Sequence, residues 1–110
     1  NPIGYFENLS LQKFSSLIIT DSGGIQKEAY FNKVNCVTLR EDTEWTEMIS
    51  LGVNKLVGVN KDKILKAVYS NNKINFPNKE IYGNGNAAKK ILKKLINWRK
   101  FYIYPESLVD

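Results

Sequence analysis

Three short apolar runs dictate what this chain can fold into: LIIT at 17–20, NCVTL at 35–39 and KLVGV at 55–59. Each is bounded by polar residues and is too short for a buried helix, so each reads as a strand. None is polar on one face, which fits strands buried on both. Helical spacing fills the gaps. Residues 24–32 bring Ile25, Ala29 and Tyr30 to one side, and 61–70 do the same for Ile64, Leu65 and Val68. This alternation predicts an α/β fold, a three-layer Rossmann-like parallel sheet with helices on both faces. Three strands with such apolar edges make an incomplete sheet. The chain therefore reads as half of a doubly wound domain.

Further elements fit this frame. Residues 5–16 predict a helix with Tyr5, Leu9 and Phe14 near one side. Thr43 is expected to cap a helix from about 44 to 51 that stops near Gly52, and Asn60 to cap the helix of 61–70. Residues 71–86 are rich in turn formers. A last helix over 87–98 gathers Ala88, Ile91, Leu92, Leu95 and Ile96. Lys89, Lys90, Lys93 and Lys94 lie mostly opposite, as a solvated face. The expected organisation is one partial Rossmann-like domain over 1–98 and an aromatic tail over 99–110, read as lying on a partner domain.

Composition narrows the function. The 110 residues suit one small domain. Net charge is +5, but of 16 basic residues only Arg40 and Arg99 are Arg. Nucleic-acid readers favour the planar guanidinium, so no nucleic-acid partner is expected. No apolar run approaches the roughly 20 residues that span a bilayer, so no membrane is expected. No basic-then-apolar leader opens the chain, which gives no sign of secretion. It opens Asn1-Pro2-Ile3 without Met, which fits a piece of something longer. With no His and one Cys, neither a metal site nor Ser-His or Cys-His catalysis is expected. Cys36, inside the second strand run, reads as a small hydrophobe.

The candidate site is the corner Thr20-Asp21-Ser22-Gly23-Gly24, where the first strand gives way to a helix. Ligands of open parallel sheets bind beyond the carboxyl ends of the strands. Gly23 and Gly24 let a ligand approach the backbone, and the helix start offers unpaired N–H groups and a positive dipole end. Ser22 adds a hydroxyl. The alternative is a plain tight turn with Asp21 or Ser22 as N-cap. Neither GxGxxG nor the Walker pattern is present. Glu28, one helical turn on, is placed to accept from ribose hydroxyls. Arg40, at the end of the next strand, is placed to reach a diphosphate, or else to pair with Glu41 or Glu44. Together these residues point to a nucleoside diphosphate.

LIITDSGGIQKEA (17–29), LREDTEWTE (39–47), VNKLVG (53–58) and YGNGNAA (82–88) resemble the C-terminal part of non-hydrolysing UDP-N-acetylglucosamine 2-epimerases, from about residue 5 to 96. These enzymes interconvert UDP-GlcNAc and UDP-ManNAc by eliminating UDP and re-adding it. The resemblance implies the second half of the C-terminal domain of a GT-B-like fold. It implies a diphosphate held at Ser22, Gly23 and Gly24 and a ribose at Glu28, with Arg40, Thr43 and Glu44 in the loop near phosphates and sugar. The family's catalytic acids come from an N-terminal domain, so no catalytic residue is expected in this chain. The resemblance also implies no cofactor, a cytoplasmic enzyme, and a homodimer at full length. The chain departs from the common pattern at Lys27, where many members have Glu and the change is expected to face solvent. It departs at Trp45, where many have a ligand-contacting Arg. Asn32-Lys33-Val34-Asn35 replaces Gly-Lys-Pro-Val, which implies a looser turn or a drifting sequence. A GT-B glycosyltransferase donor domain and an inactive truncated binding module are the competing readings.

Overall fold

In the computed structural model, residues 1–71, 76 and 80–101 are described, the last three without their side chains. The chain divides into two units, Asn1–Asn78 and Lys79–Asp110. The first holds helix α1 (Tyr5–Phe14), strand β1 (Ile18–Thr20), helix α2 (Gly23–Phe31), strand β2 (Cys36–Thr38), short helix α3 (Thr46–Ser50), strand β3 (Asn54–Leu56) and helix α4 (Lys61–Tyr69). The strands form one parallel sheet in the order β1-β2-β3, with Ile18, Cys36 and Asn54 in register. Parallel pairing requires crossovers, and α2 and α3 supply them.

The alternation of side chains along the strands builds a core on each face. Ile18 and Cys36 pack with Ala29 and Val34, with Ile25 at the margin. Val37 packs on the other face with Val57 and Ala67, joined by Leu17, Leu39 and Ile64. Helices thus lie on both faces, as the sequence pattern predicts. Each fully buried side chain of the size of Val37 or Met48 contributes about 1.5–3 kcal/mol.

Several expectations need correction. The third strand is Asn54–Leu56, not 55–59, because Gly58 turns the chain at φ +60 and leaves Val59 exposed. Ile19 is 47% exposed, since β1 lies at an open edge of the sheet. In α4 the buried residue is Ala67, while Leu65 is exposed. In α1 Tyr5 and Phe14 are exposed and the buried residue is Gln12. Thr43 does not cap α3. Trp45 stands at that position, and the Thr43 hydroxyl accepts from the Trp45 N–H at 3.2 Å in a turn just before it. The Asn60 cap is as expected, its side chain accepting from the Lys63 N–H at 2.9 Å.

The turn after α2 is closed rather than loose. The Lys33 N–H donates to Tyr30 O at 3.1 Å and the Val34 N–H to Ala29 O at 3.0 Å. These are the two bonds of a Schellman motif, with Val34 and Ala29 in contact beneath it. Lys33 takes the left-handed position at φ +58, usually reserved for Gly.

In the second unit, helix α5 spans Ala87–Phe101. Its Ile91, Leu92, Leu95 and Ile96 are each more than half exposed, and Lys89, Lys90, Lys93 and Lys94 opposite are exposed too. Residues 72–75 and 77–79 of the turn-rich stretch and 102–110 of the tail lie outside the described residues. No helix among the described residues is long and apolar enough to cross a membrane.

Candidate functional site

The corner after β1 is built by local capping. The Ser22 N–H donates to the Thr20 hydroxyl at 3.0 Å, which folds the chain back at the strand end. Ser22 is then the N-cap of α2, and its Oγ accepts from the Ile25 N–H at 3.4 Å. Its hydroxyl proton stays available for donation. The Gln26 N–H turns to Ser22 O at 3.2 Å. The first-turn donors left over are the N–H groups of Gly23 and Gly24, at the positive end of the helix.

Gly24 is exposed, and a Cβ there would meet only Ser22 Oγ, at 3.8 Å. Gly23 is tighter. A Cβ there would run into the Glu44 carboxylate and lie 3.7 Å from Trp45 Nε1. Because β1 and β2 are parallel neighbours, the loop after β2 opens on the same sheet edge as the corner. Arg40 in that loop pairs with Glu44 at 3.2 Å and Asp42 at 3.5 Å. Of its two sequence-expected partners, Glu44 is taken and Glu41 is not, Glu41 lying instead against Gly58. Both Arg40 pairs are solvent-facing, of the kind that contributes at most about 1 kcal/mol and yields readily to a competing anion.

Trp45 and Lys27 join the same surface. The Trp45 indole N–H donates to Gly23 O at 2.9 Å, and Lys27 Nζ sits 4.3 Å from the centre of the indole ring. Gly23 and Lys27 are one turn apart on one face of α2, so the ring lies along that face. The two departures from the family pattern are thus in contact, and Lys27 is half-buried rather than solvent-facing. Glu28 lies one turn beyond Gly24. Its Oε2 accepts from Gln12 Nε2 of α1 at 2.6 Å.

Beneath the corner runs a buried polar network. Gln26, fully buried, accepts at Oε1 from the Thr43 hydroxyl at 2.7 Å and from Asn54 Nδ2 at 3.0 Å. Asn54 Oδ1 accepts in turn from the Thr38 hydroxyl at 2.8 Å. The 40–45 loop, α2, β2 and β3 are therefore tied through two amides, Gln26 and Asn54. Burial of Cys36 at the end of this network pushes its thiol up to about 11, keeping it protonated and unreactive at neutral pH.

The structure therefore brings Ser22, Gly23, Gly24, Arg40 and Glu44 to one place. Thr43 touches it through Gln26, and Glu28 lies on the adjoining helix face toward α1. Sequence reasoning missed Gln12, Gln26 and Asn54. Two of them did carry a signal, a Gln at core spacing: Gln12 follows Leu9, and Gln26 precedes Ala29, by three residues. A separate cleft of about 460 Å³ lies along β3 beside Lys55, Lys63 and Lys66, and none of the seven candidate residues lines it.

Residues 1–96 match the family described as UDP-N-acetylglucosamine 2-epimerase. A UDP-N-acetylglucosamine 2-epimerase of Methanocaldococcus jannaschii is 48% identical over 96 residues, covering 86% of this chain and 26% of the relative. A UDP-2,3-diacetamido-2,3-dideoxy-D-glucuronate 2-epimerase of Pseudomonas aeruginosa is 41% identical over 86% of this chain and 27% of its own length. The crystal structure of the Methanocaldococcus jannaschii enzyme in complex with UDP-GlcNAc and UDP matches with a TM-score of 0.76 and 44% identity, over 88% of this chain and 27% of that one. This chain thus spans about a quarter of the length of these relatives, and its α/β sheet is part of their GT-B-like architecture. The chain belongs to the UDP-N-acetylglucosamine 2-epimerase family.

Proposed function

We propose that this chain is the UDP-binding part of an epimerase that interconverts UDP-GlcNAc and UDP-ManNAc by elimination and re-addition of UDP. The observation that carries the reading is the corner itself. Ser22, Gly23 and Gly24 stand at the carboxyl end of β1 and the start of α2, in a chain 44% identical to a protein crystallised with UDP-GlcNAc and UDP. In this reading the N–H groups of Gly23 and Gly24 and the Ser22 hydroxyl hold the diphosphate. Glu28 accepts from the ribose. Arg40 exchanges its exposed carboxylates for phosphate oxygens, and Thr43 and Glu44 shape the loop beside the sugar.

Departure of UDP builds negative charge on its terminal phosphate, and donors fixed in advance stabilise that charge. The acids that move the proton at the sugar's second carbon belong to the rest of the enzyme, and this chain contributes leaving-group binding. In this reading residues 1–98 belong to the partial UDP-binding domain and 99–110 follow as its tail, and the full-length enzyme works as a cytoplasmic homodimer without a cofactor. The Pseudomonas aeruginosa relative is named for a different UDP-sugar at 41% identity. The UDP moiety is common to both substrates, so residues that grip it do not choose the sugar. A glycosyltransferase with the same cradle is disfavoured by the family match over 1–96.

The test is a titration of the nitrogen-15-labelled chain with UDP, followed in amide spectra. Shifts centred on Gly23, Gly24 and Glu28 are expected. A well-dispersed spectrum that does not move at millimolar UDP overturns the reading that this chain holds the nucleotide.

A further inference from the structure

We infer that Gln12 is a positioning residue for nucleotide binding: its side-chain amide fixes the Glu28 carboxylate for the ribose hydroxyls. The inference rests on the reading of Glu28 as the ribose ligand and extends it to a second helix. Gln12 is only 4% exposed, on α1, and its Nε2 donates to Glu28 Oε2 at 2.6 Å. An ionised carboxylate only accepts, so the amide nitrogen must be the atom that faces it. The amide oxygen is then left buried, with no hydrogen-bond partner among the described residues. A buried acceptor without a partner is unfavourable, and an apolar side chain of equal size would avoid the loss. A Gln in that position trades stability for the single bond it makes to Glu28.

The bond has a geometric effect. A free Glu on a helix surface samples several rotamers. A charge-assisted bond at Oε2 holds one of them and leaves the carboxylate's remaining lone pairs for a ligand. Gln12 also ties α1 to α2, which keeps the carboxylate on the Gly24 side of the helix.

The experiment compares UDP with 2′,3′-dideoxyuridine diphosphate by calorimetry on the chain and on Gln12→Met, with thermal melting alongside. The unsubstituted chain should prefer UDP by about tenfold, the value of a hydrogen bond to a charged group. Gln12→Met should shrink that preference to about twofold through weaker UDP binding alone, while melting at the same or a higher temperature. Gln12→Asn, one methylene too short to reach Oε2, should lose the preference as well and guards against misfolding of the Met variant. A Met variant that keeps the full preference, or that weakens both ligands equally, overturns the inference while leaving Glu28 as the ribose ligand. If the unsubstituted chain binds both ligands alike, no ribose lies on Glu28 and both readings fall together.

Discussion

The two glycines of the corner are adjacent, yet they answer to different constraints. Gly23 is hemmed in by Glu44 and by the Trp45 indole, so a methyl there moves protein atoms. Gly24 has open space, so a methyl there meets nothing of the protein except Ser22 Oγ at contact distance. Ala also favours a helix over Gly by roughly 1 kcal/mol. Gly24→Ala should therefore melt no lower than the parent while losing about tenfold or more in UDP affinity, because the methyl occupies the space a phosphate needs. Unchanged affinity in calorimetry would mean that the diphosphate does not lie on Gly24. The corner itself was legible in the sequence, since two glycines, a Ser cap and a following helix are all local signals. The Lys27–Trp45 stack was not, because it joins residues eighteen positions apart through a loop whose path no local pattern states.

Among the elements, α2 carries most of the organisation, and its two ends obey different rules. Ser22 at its start follows a known capping preference. Its end was expected to be loose for want of Gly, yet both Schellman bonds form with Lys33 in the left-handed region. The tertiary contact between Val34 and Ala29 holds the motif against the preference of the side chain. Lys33→Gly should remove that strain at a smaller entropic loss, raising stability by about 0.5–1 kcal/mol in urea unfolding. A decrease would show that the Lys33 side chain contributes more than its backbone position costs. Strand order and crossovers were likewise legible, from three apolar runs at even spacing. The end of β3 was not, because KLVGV is apolar throughout and only the backbone turn at Gly58 stops it.

At the scale of the molecule, the chain carries the proposed nucleotide corner without most of the length its relatives have. Its length is about a quarter of that of its relatives, and the proposed catalytic acids lie in the remainder. Incubating the chain with UDP-GlcNAc should therefore yield no UDP-ManNAc, and any detectable product by nuclear magnetic resonance would relocate the chemistry into these 110 residues. The seven proposed ligand residues fall between Ser22 and Glu44, inside a single β-α-β passage and the loop that follows it. Short sequence separations close early and with little loss of chain entropy. A grip built this way can begin to take shape as the polypeptide emerges, and β3 then braces it from beneath through Asn54 and Gln26. In time as well as in space, the proposed grip comes before the strand that braces it.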